Sequence, residues 1–207
     1  MPRIAIDIQP PYNTELFLWK ITESVEELSG FIPDGKELLD KARNSFKSDA
    51  RRKEWLAVRA LLQSTPYSNY KITYSTNGAP KLDSNKKHIS ISHTKEFVAL
   101  AISDERVGID FEREERNALN VAKLFLKEKE YEKIDNDRNE ALRLWTVKEA
   151  SFKLASENAV VIKDIETEFK SEENGIYIYN VKYPNGKSAI CRTYITCGLF
   201  ISVSSLM

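Results

Sequence analysis

The sequence has few of the residues that build metal clusters and disulfide frameworks. Its 207 residues include two cysteines, Cys191 and Cys197, and two histidines, His88 and His93. No Cys-x-x-Cys pair or Cys/His cluster is present, which argues against a structural zinc site and a disulfide scaffold. We expect two reduced thiols, because disulfides belong mainly to oxidising compartments.

Long apolar runs are also missing. No stretch approaches the ~20 apolar residues that a membrane-spanning helix needs. Residues 1–11 lack the basic start and the apolar core of a signal peptide. These two absences predict a cytoplasmic protein with no membrane partner.

The chain carries no excess of charge of either sign, since 31 Lys and Arg residues balance 31 Asp and Glu residues. A general nucleic-acid binder usually has a basic excess, so we expect no nucleic-acid partner. Hydrophobic residues make up 42% and charged residues 30%, which is typical of a folded globular protein. The length suffices for one large domain or for two small packed ones.

Hydrophobic periodicity predicts an α+β fold without the strict alternation of a parallel α/β protein. We expect the strands at 88–93, 97–102 and 107–112 to be consecutive antiparallel neighbours. The predicted helices are 23–28, 35–46, 49–63, 120–134 and 140–155. The other predicted strands are 3–8, 17–21, 176–183, 189–196 and 199–205.

Asp110 and Glu112 lie two residues apart on a predicted strand, so both carboxylates face the same side. Ile109 and Phe111 then point into the core. Two adjacent carboxylates repel each other unless a cation lies between them, and Mg²⁺ prefers such hard oxygen ligands. The alternative is an ordinary solvent-facing strand edge.

Glu149 lies on the apolar face of the last predicted helix, one turn from Trp145 and from Phe152 or Lys153. A carboxylate on an inward face needs a partner or a metal. Lys153 is the simpler partner, as an i,i+4 ion pair. The sharper interpretation makes Glu149 a third metal ligand and a general base, with Lys153 on a phosphate.

Two further segments have the chemistry to bind phosphate. Ser92, His93 and Thr94 place two hydroxyls and an imidazole at a strand end. The basic run 51–53, together with Arg59, can form charge-assisted hydrogen bonds. The alternatives are a structural histidine and a solvated helix face.

Three segments resemble, in order and spacing, motifs of the surfactin-type 4′-phosphopantetheinyl transferases. Residues 88–93 (HISISH) resemble the family's histidine-bearing strand, and residues 107–112 (VGIDFE) resemble its metal-binding strand. Residues 145–153 (WTVKEASFK) resemble its signature helix, in the Trp/Lys-Glu-Ala form. The resemblance covers residues 51–153.

The resemblance implies two similar α/β halves, residues 1–103 and 104–207, related by a pseudo-twofold with the site in the cleft between them. One chain would then form a complete site, as a monomer. It implies that Asp110, Glu112 and Glu149 hold Mg²⁺. Glu149 and Lys153 would be catalytic, and Lys153 would also contact the pyrophosphate of coenzyme A.

The remaining implied residues all bind coenzyme A. They are Arg52, Arg59, Gly78, Pro80, Ser92, His93 and Lys148. Family members often carry a basic residue between the glycine and the proline, where this chain has Ala79.

The implied reaction moves the phosphopantetheine arm of coenzyme A to a serine of an acyl, peptidyl or polyketide carrier protein. Two alternatives stay open at this point. One is a non-catalytic homologue that binds coenzyme A or a carrier protein. The other is a magnesium-dependent phosphohydrolase.

Overall fold

Two β-sheets, packed face to face and flanked by helices, organise the chain. A computed structural model describes residues 3–4, 8, 10–11, 13–84, 86–155 and 160–207. The first sheet has the strand order β1-β2-β6-β5 and the second has the order β7-β11-β10-β9-β8, while β3 and β4 form a separate hairpin. The mixture of helix and sheet confirms the α+β class.

All strand pairs in the two sheets and the hairpin are antiparallel. The strands are β1 Arg3–Ile4, β2 Glu15–Lys20, β3 Ile72–Tyr74, β4 Pro80–Leu82, β5 His88–His93, β6 Phe97–Ser103, β7 Val107–Arg113, β8 Glu166–Glu173, β9 Ile176–Lys182, β10 Ser188–Thr196 and β11 Leu199–Leu206. The helices are α1 Val25–Gly30, α2 Gly35–Ser45, α3 Asp49–Gln63, α4 Ala122–Phe125, α5 Glu128–Lys133 and α6 Arg138–Leu154. Within the described residues, no helix is long and apolar enough to cross a membrane.

Helix α3 has the predicted bounds, because its ends are capped locally. The Ser48 side chain accepts a hydrogen bond from the backbone of Arg51 at the first turn. The C-terminal meander of β9, β10 and β11 also confirms the prediction. The predicted strand at 3–8 falls partly outside the described residues, and only Arg3–Ile4 is strand among those described.

Two of the predictions were wrong, and the strands β3, β4 and β8 were not predicted. Strand β7 pairs with β11 and not with its chain neighbour β6. The helix predicted at 120–134 is split into α4 and α5, because Leu126 and Lys127 adopt extended backbone. The edge strand β8 was missed, since its residues are mostly exposed and show no apolar alternation.

Three hydrophobic clusters hold these layers together. The first packs α1, α2 and α3 on one face of the first sheet, and the second packs α6 on the second sheet. The third lies between the two sheets, where Ala99 and Ala101 of β6 meet Ile109 and Phe111 of β7. Ile109 and Phe111 are both 1% exposed, as their strand alternation predicts.

Strands β5 and β7 lie at the edges where the two sheets meet, and serine side chains join them. The Ile109 amide donates to Ser90 Oγ at 3.0 Å, and the Phe111 amide donates to Ser92 Oγ at 3.4 Å. These hydroxyls satisfy amides on the free edge of β7, which would otherwise be buried without a partner.

Gly108 lets helix α6 approach β7 at backbone distance. A Cβ atom at this position would lie 1.9 Å from the Ala150 carbonyl oxygen and 2.8 Å from the Leu154 nitrogen. Both obstructing atoms belong to backbone, so a flexible side chain cannot move aside. Gly108 therefore sets how closely the carboxylates of β7 approach those of α6.

We expect Gly108→Ala to lower the free energy of unfolding by about 3 kcal/mol, because the added methyl group overpacks a rigid backbone contact. Denaturant unfolding followed by circular dichroism measures this change. Gly30→Ala is the matched control, since a Cβ there meets nothing within 4 Å, and it should stay within about 0.5 kcal/mol of the parent. Equal stabilities for the two variants would contradict the role assigned to Gly108.

Candidate active site

Asp110 is the centre of the candidate site. It is 5% exposed, and its Oδ1 atom accepts hydrogen bonds from Ser92 Oγ at 2.8 Å and from Lys153 Nζ at 2.7 Å. Its Oδ2 atom is buried and has no hydrogen-bond partner among the described residues. A buried carboxylate oxygen without a partner is costly, so this atom is a ready acceptor for a cation or a ligand donor.

The negative charge of Asp110 acts on two further carboxylates, those of Glu149 and Glu112. Burial raises the pKa of Glu149, and Asp110 raises it further. Burial likewise raises the pKa of Glu112, again with Asp110 as the second cause. Each of the two glutamates thus lies within electrostatic range of Asp110, the residue predicted with them as a metal ligand.

Two neighbouring side chains, Arg116 and Trp145, form hydrogen bonds to Glu112. Its Oε1 atom accepts hydrogen bonds from the Arg116 guanidinium and, at 3.1 Å, from Trp145 Nε1. Arg116 also stacks over the Trp145 ring, with its central carbon 4.8 Å from the ring centroid. Within the described part of the chain, no three His, Cys, Asp or Glu side chains converge into a ready-made metal site.

Lys153 links Asp110 to a neighbouring cavity. Its ammonium donates to Asp110 and, at 3.0 Å, to the Ile109 carbonyl. The side chain is 27% exposed, so part of it remains accessible from the cavity. Lys153 was considered as the simpler partner of Glu149, but its hydrogen bonds go to Asp110 and Ile109 instead.

A cavity of about 1150 Å³ opens beside Lys153. Of the residues predicted to bind coenzyme A, Arg59, Gly78, Pro80 and His93 line it together with Lys153. Gly78 has φ +81°, which favours glycine and makes the tight turn that faces the cavity. The cavity lies between α3, the β3–β4 hairpin, β5 and the end of α6.

Arg59 is fixed against the cavity wall by Trp55. Its guanidinium carbon lies 3.3 Å from the Trp55 ring centroid, and its NH1 donates to the Trp55 carbonyl at 2.8 Å. A planar guanidinium that is stacked in this way keeps its remaining donors in a fixed direction.

Three predicted coenzyme A contacts lie elsewhere and do not line the cavity. Ser92 is buried against Asp110, as described above. Arg52 points away along α3, where its Nε donates to the Phe46 carbonyl at 2.9 Å. Lys148 has no exposed side-chain surface, and its ammonium donates to Glu130 at 2.6 Å.

The apolar face predicted for α6 is only partly buried. Leu142 is fully buried, whereas Phe152 is 42% exposed and lines the cavity. Sequence reasoning also missed Arg116 and Glu54. Glu54 could have been found three residues after Arg51, because that is the spacing of an ion pair on a helix. Arg116 follows a turn after β7, so helical spacing could not have indicated it.

The fold and the site define a class of protein: an α+β chain in which two sheets meet at a buried aspartate backed by a Glu-Lys helix. The sequence profile of the 4′-phosphopantetheinyl transferase superfamily matches residues 106–192. The 4′-phosphopantetheinyl transferase gsp of Aneurinibacillus migulanus is 31% identical over 170 residues, which cover 74% of this chain and 69% of that protein.

The chain therefore belongs to the 4′-phosphopantetheinyl transferase superfamily. It is a transferase enzyme, with coenzyme A as the source of the phosphopantetheine that it transfers. Membership of a transferase family favours the implied reaction over the two alternatives, the non-catalytic homologue and the phosphohydrolase.

We expect Ser92→Ala to lower transferase turnover by about 10-fold, because Asp110 loses a hydrogen bond that fixes its orientation and small misplacements at a reacting centre are costly. Ser90→Ala is the matched control. It removes a bond between β5 and β7 of the same kind, to the Ile109 amide, and leaves the Asp110 carboxylate untouched.

Steady-state turnover and thermal unfolding of both variants test this expectation. A similar loss of turnover in the two variants would show that Ser92 serves only to hold the sheets together. Recovery of turnover in Ser92→Thr, which keeps the hydroxyl, would support the orienting role.

Proposed function

We propose that the protein transfers 4′-phosphopantetheine from coenzyme A to a serine of an apo acyl, peptidyl or polyketide carrier protein in a Mg²⁺-dependent reaction, and releases adenosine 3′,5′-bisphosphate. The observation that carries this proposal is the buried Oδ2 of Asp110, which has no hydrogen-bond partner among the described residues, in a carboxylate that is bound to the cavity-lining Lys153.

Coenzyme A fits the cavity in chemistry and in size. The cavity has a volume of about 1150 Å³, which exceeds the range typical of small-ligand pockets. A large cavity suits coenzyme A, because this ligand joins a nucleotide to a long pantetheine arm. We assign the adenine to the turn at Gly78 and Pro80, and the 3′-phosphate to His93 with Arg59 or its helix neighbours. The pyrophosphate then lies next to Lys153.

The carboxylates fit Mg²⁺, which takes oxygen ligands and is usually held by one or two carboxylates together with substrate phosphates. The protein therefore need not supply all the ligands of the cation, because the phosphates of coenzyme A would supply some of them. Asp110 offers its Oδ2, which has no partner within the described part of the chain, and Glu149 and Glu112 would complete the set. When bound, Mg²⁺ would neutralise the charge of the pyrophosphate.

Glu149 is our candidate for the general base. The carrier serine is a poor nucleophile until a positioned base takes its proton. Glu149 accepts that proton, directly or through a water, and burial raises the pKa of its carboxyl group, which makes the carboxylate a stronger base. The serine oxygen attacks the β-phosphorus, the bond from this phosphorus to the bridging oxygen breaks, and the bisphosphate leaves.

Lys153 acts on the same phosphates. Its ammonium already lies 2.7 Å from Asp110 Oδ1, so it is oriented before the substrate arrives. From this position it donates to a phosphate oxygen that gains charge as the bridging bond breaks. Asp110 would thus position both positive charges, since Oδ1 binds the Lys153 ammonium and Oδ2 would bind Mg²⁺.

We propose further that residues 1–103 and 104–207 form two halves related by a pseudo-twofold, with the site in the cleft between them. One chain then supplies every group named above, which supports a monomer. The cytoplasmic location also stays a prediction.

An acidic carrier protein is expected to dock near the middle helices. Lys123, Lys127 and Lys129 provide positive charge there, although Lys127 already pairs with Glu166 at 2.7 Å. Leu126, which lies next to Lys127 in the sequence, is only 1% exposed and cannot be the apolar contact of this surface. Leu124 is 73% exposed and replaces it as the apolar contact.

Intact-protein mass spectrometry tests the function directly. An apo acyl carrier protein is incubated with this protein, coenzyme A and Mg²⁺. We expect a mass gain of one phosphopantetheine arm, and no gain in EDTA. Release of free phosphopantetheine without a carrier would instead favour a phosphohydrolase, and no gain with several unrelated carriers would overturn the proposal.

We expect Asp110→Ala and Glu149→Gln each to lower turnover by about 10²-fold or more while the fold stays intact. Asp110→Ala removes the central acceptor, and Glu149→Gln removes the base without changing the size of the side chain. Initial rates of carrier modification measure the loss, and circular dichroism checks the fold.

Glu115→Gln is the control for these two variants. It removes one negative charge from an exposed pair with Arg113, away from the cavity, and should leave turnover within twofold of the parent, roughly as for other surface substitutions. Near-normal turnover in either site variant would rule out the role given to that residue.

A further inference from the structure

Glu54 has an unusual place in the cavity. Among its described lining residues, Glu54 alone is acidic. Six lining residues are Lys or Arg, namely Arg51, Arg59, Lys81, Lys87, Arg106 and Lys153. An acid in the wall of a cavity suited to a polyanion works against binding, so its presence calls for a functional reason.

Glu54 lies in direct contact with two of the groups that face an incoming phosphate. Arg51 NH1 donates to Glu54 Oε2 at 3.0 Å and to His93 Nε2 at 2.7 Å. The side chain of Glu54 is 14% exposed, compared with 45% for Arg51 and 39% for His93. The carboxylate is thus the least exposed member of the trio, and the two basic groups are more open to the solvent.

The hydrogen bond from Arg51 also determines the tautomer of a neutral His93. Its Nε2 accepts from Arg51, so the ring proton of a neutral imidazole is on Nδ1, which lies 3.4 Å from Glu54 Oε2. Burial lowers the pKa of His93, which favours this neutral form, and Glu54 opposes that effect. With a neutral His93, the charges of Arg51 and Glu54 cancel and the trio carries no net charge.

We propose that Glu54 is a specificity-determining residue that limits how strongly the enzyme prefers coenzyme A over 3′-dephospho-coenzyme A. A phosphate that binds Arg51 and His93 must compete with the Glu54 carboxylate, which is already in contact with both side chains. The 3′-phosphate therefore gains less than the basic residues alone would provide, whereas a coenzyme without that phosphate meets no such opposition.

This inference rests on the proposed function, because it assumes that the 3′-phosphate binds at Arg51 and His93. Glu54 is expected to affect only the binding of the 3′-phosphate end of the coenzyme. Glu54 is one turn from Arg51 on α3 and is not in contact with Asp110 or Lys153 in any hydrogen bond or ion pair described here. We therefore expect it to change coenzyme affinity and not the transfer step.

Isothermal titration of the whole protein with coenzyme A and with 3′-dephospho-coenzyme A tests the proposal. Glu54→Gln keeps an oxygen that accepts from Arg51 and His93 and removes only the charge. We expect it to tighten coenzyme A by about 10-fold and to leave 3′-dephospho-coenzyme A within about twofold, since a like charge close to the phosphate is lost.

Glu26→Gln is the matched control. It removes the same charge from an exposed ion pair with Arg43, at 2.7 Å and outside the cavity, so the ratio of the two affinities should not change. An unchanged ratio in Glu54→Gln, or equal tightening of both coenzymes, would overturn the inference while leaving the proposed function in place. Failure of the parent protein to bind either coenzyme would overturn both.

Discussion

Asp110 receives hydrogen bonds from two directions, and the arrangement of the rest of the site depends on them. Ser92 reaches it from the first sheet and Lys153 reaches it from α6. A buried carboxylate is tolerated only where such partners satisfy it. The interaction joins groups from both sheets and a helix at one side chain, so the direction of the second carboxylate oxygen is fixed.

The two sheets contribute different parts of the binding chemistry. The cavity is formed mainly by α3, the β3–β4 hairpin and β5, whereas the carboxylates come from β7 and α6. A net charge of zero over the whole chain hides this division. Basic residues concentrate in the cavity wall and acidic residues at the sheet junction, which suits a ligand whose phosphates must lie next to a cation.

Sequence periodicity could predict several parts of the site because their geometry is local. Alternation along β7 places Asp110 and Glu112 on one side and buries Ile109 and Phe111 on the other. The caps and apolar spacing of α3 fixed its bounds. The pairing of β7 was predicted wrongly, since a strand's partner depends on long-range packing and β11 lies almost a hundred residues further along the chain.

By itself, the sequence determined which side chains share a face of a strand or helix, because the periods of 2.0 and 3.6 residues follow from the backbone. It therefore determined the carboxylate pair on β7 and the Glu149–Lys153 helix. Only the tertiary structure decided what these groups contact. It turned Ser92 to Asp110, paired Lys148 with Glu130 and set Glu54 beside His93, because such contacts join residues that are far apart in the chain or depend on which rotamers the packing allows.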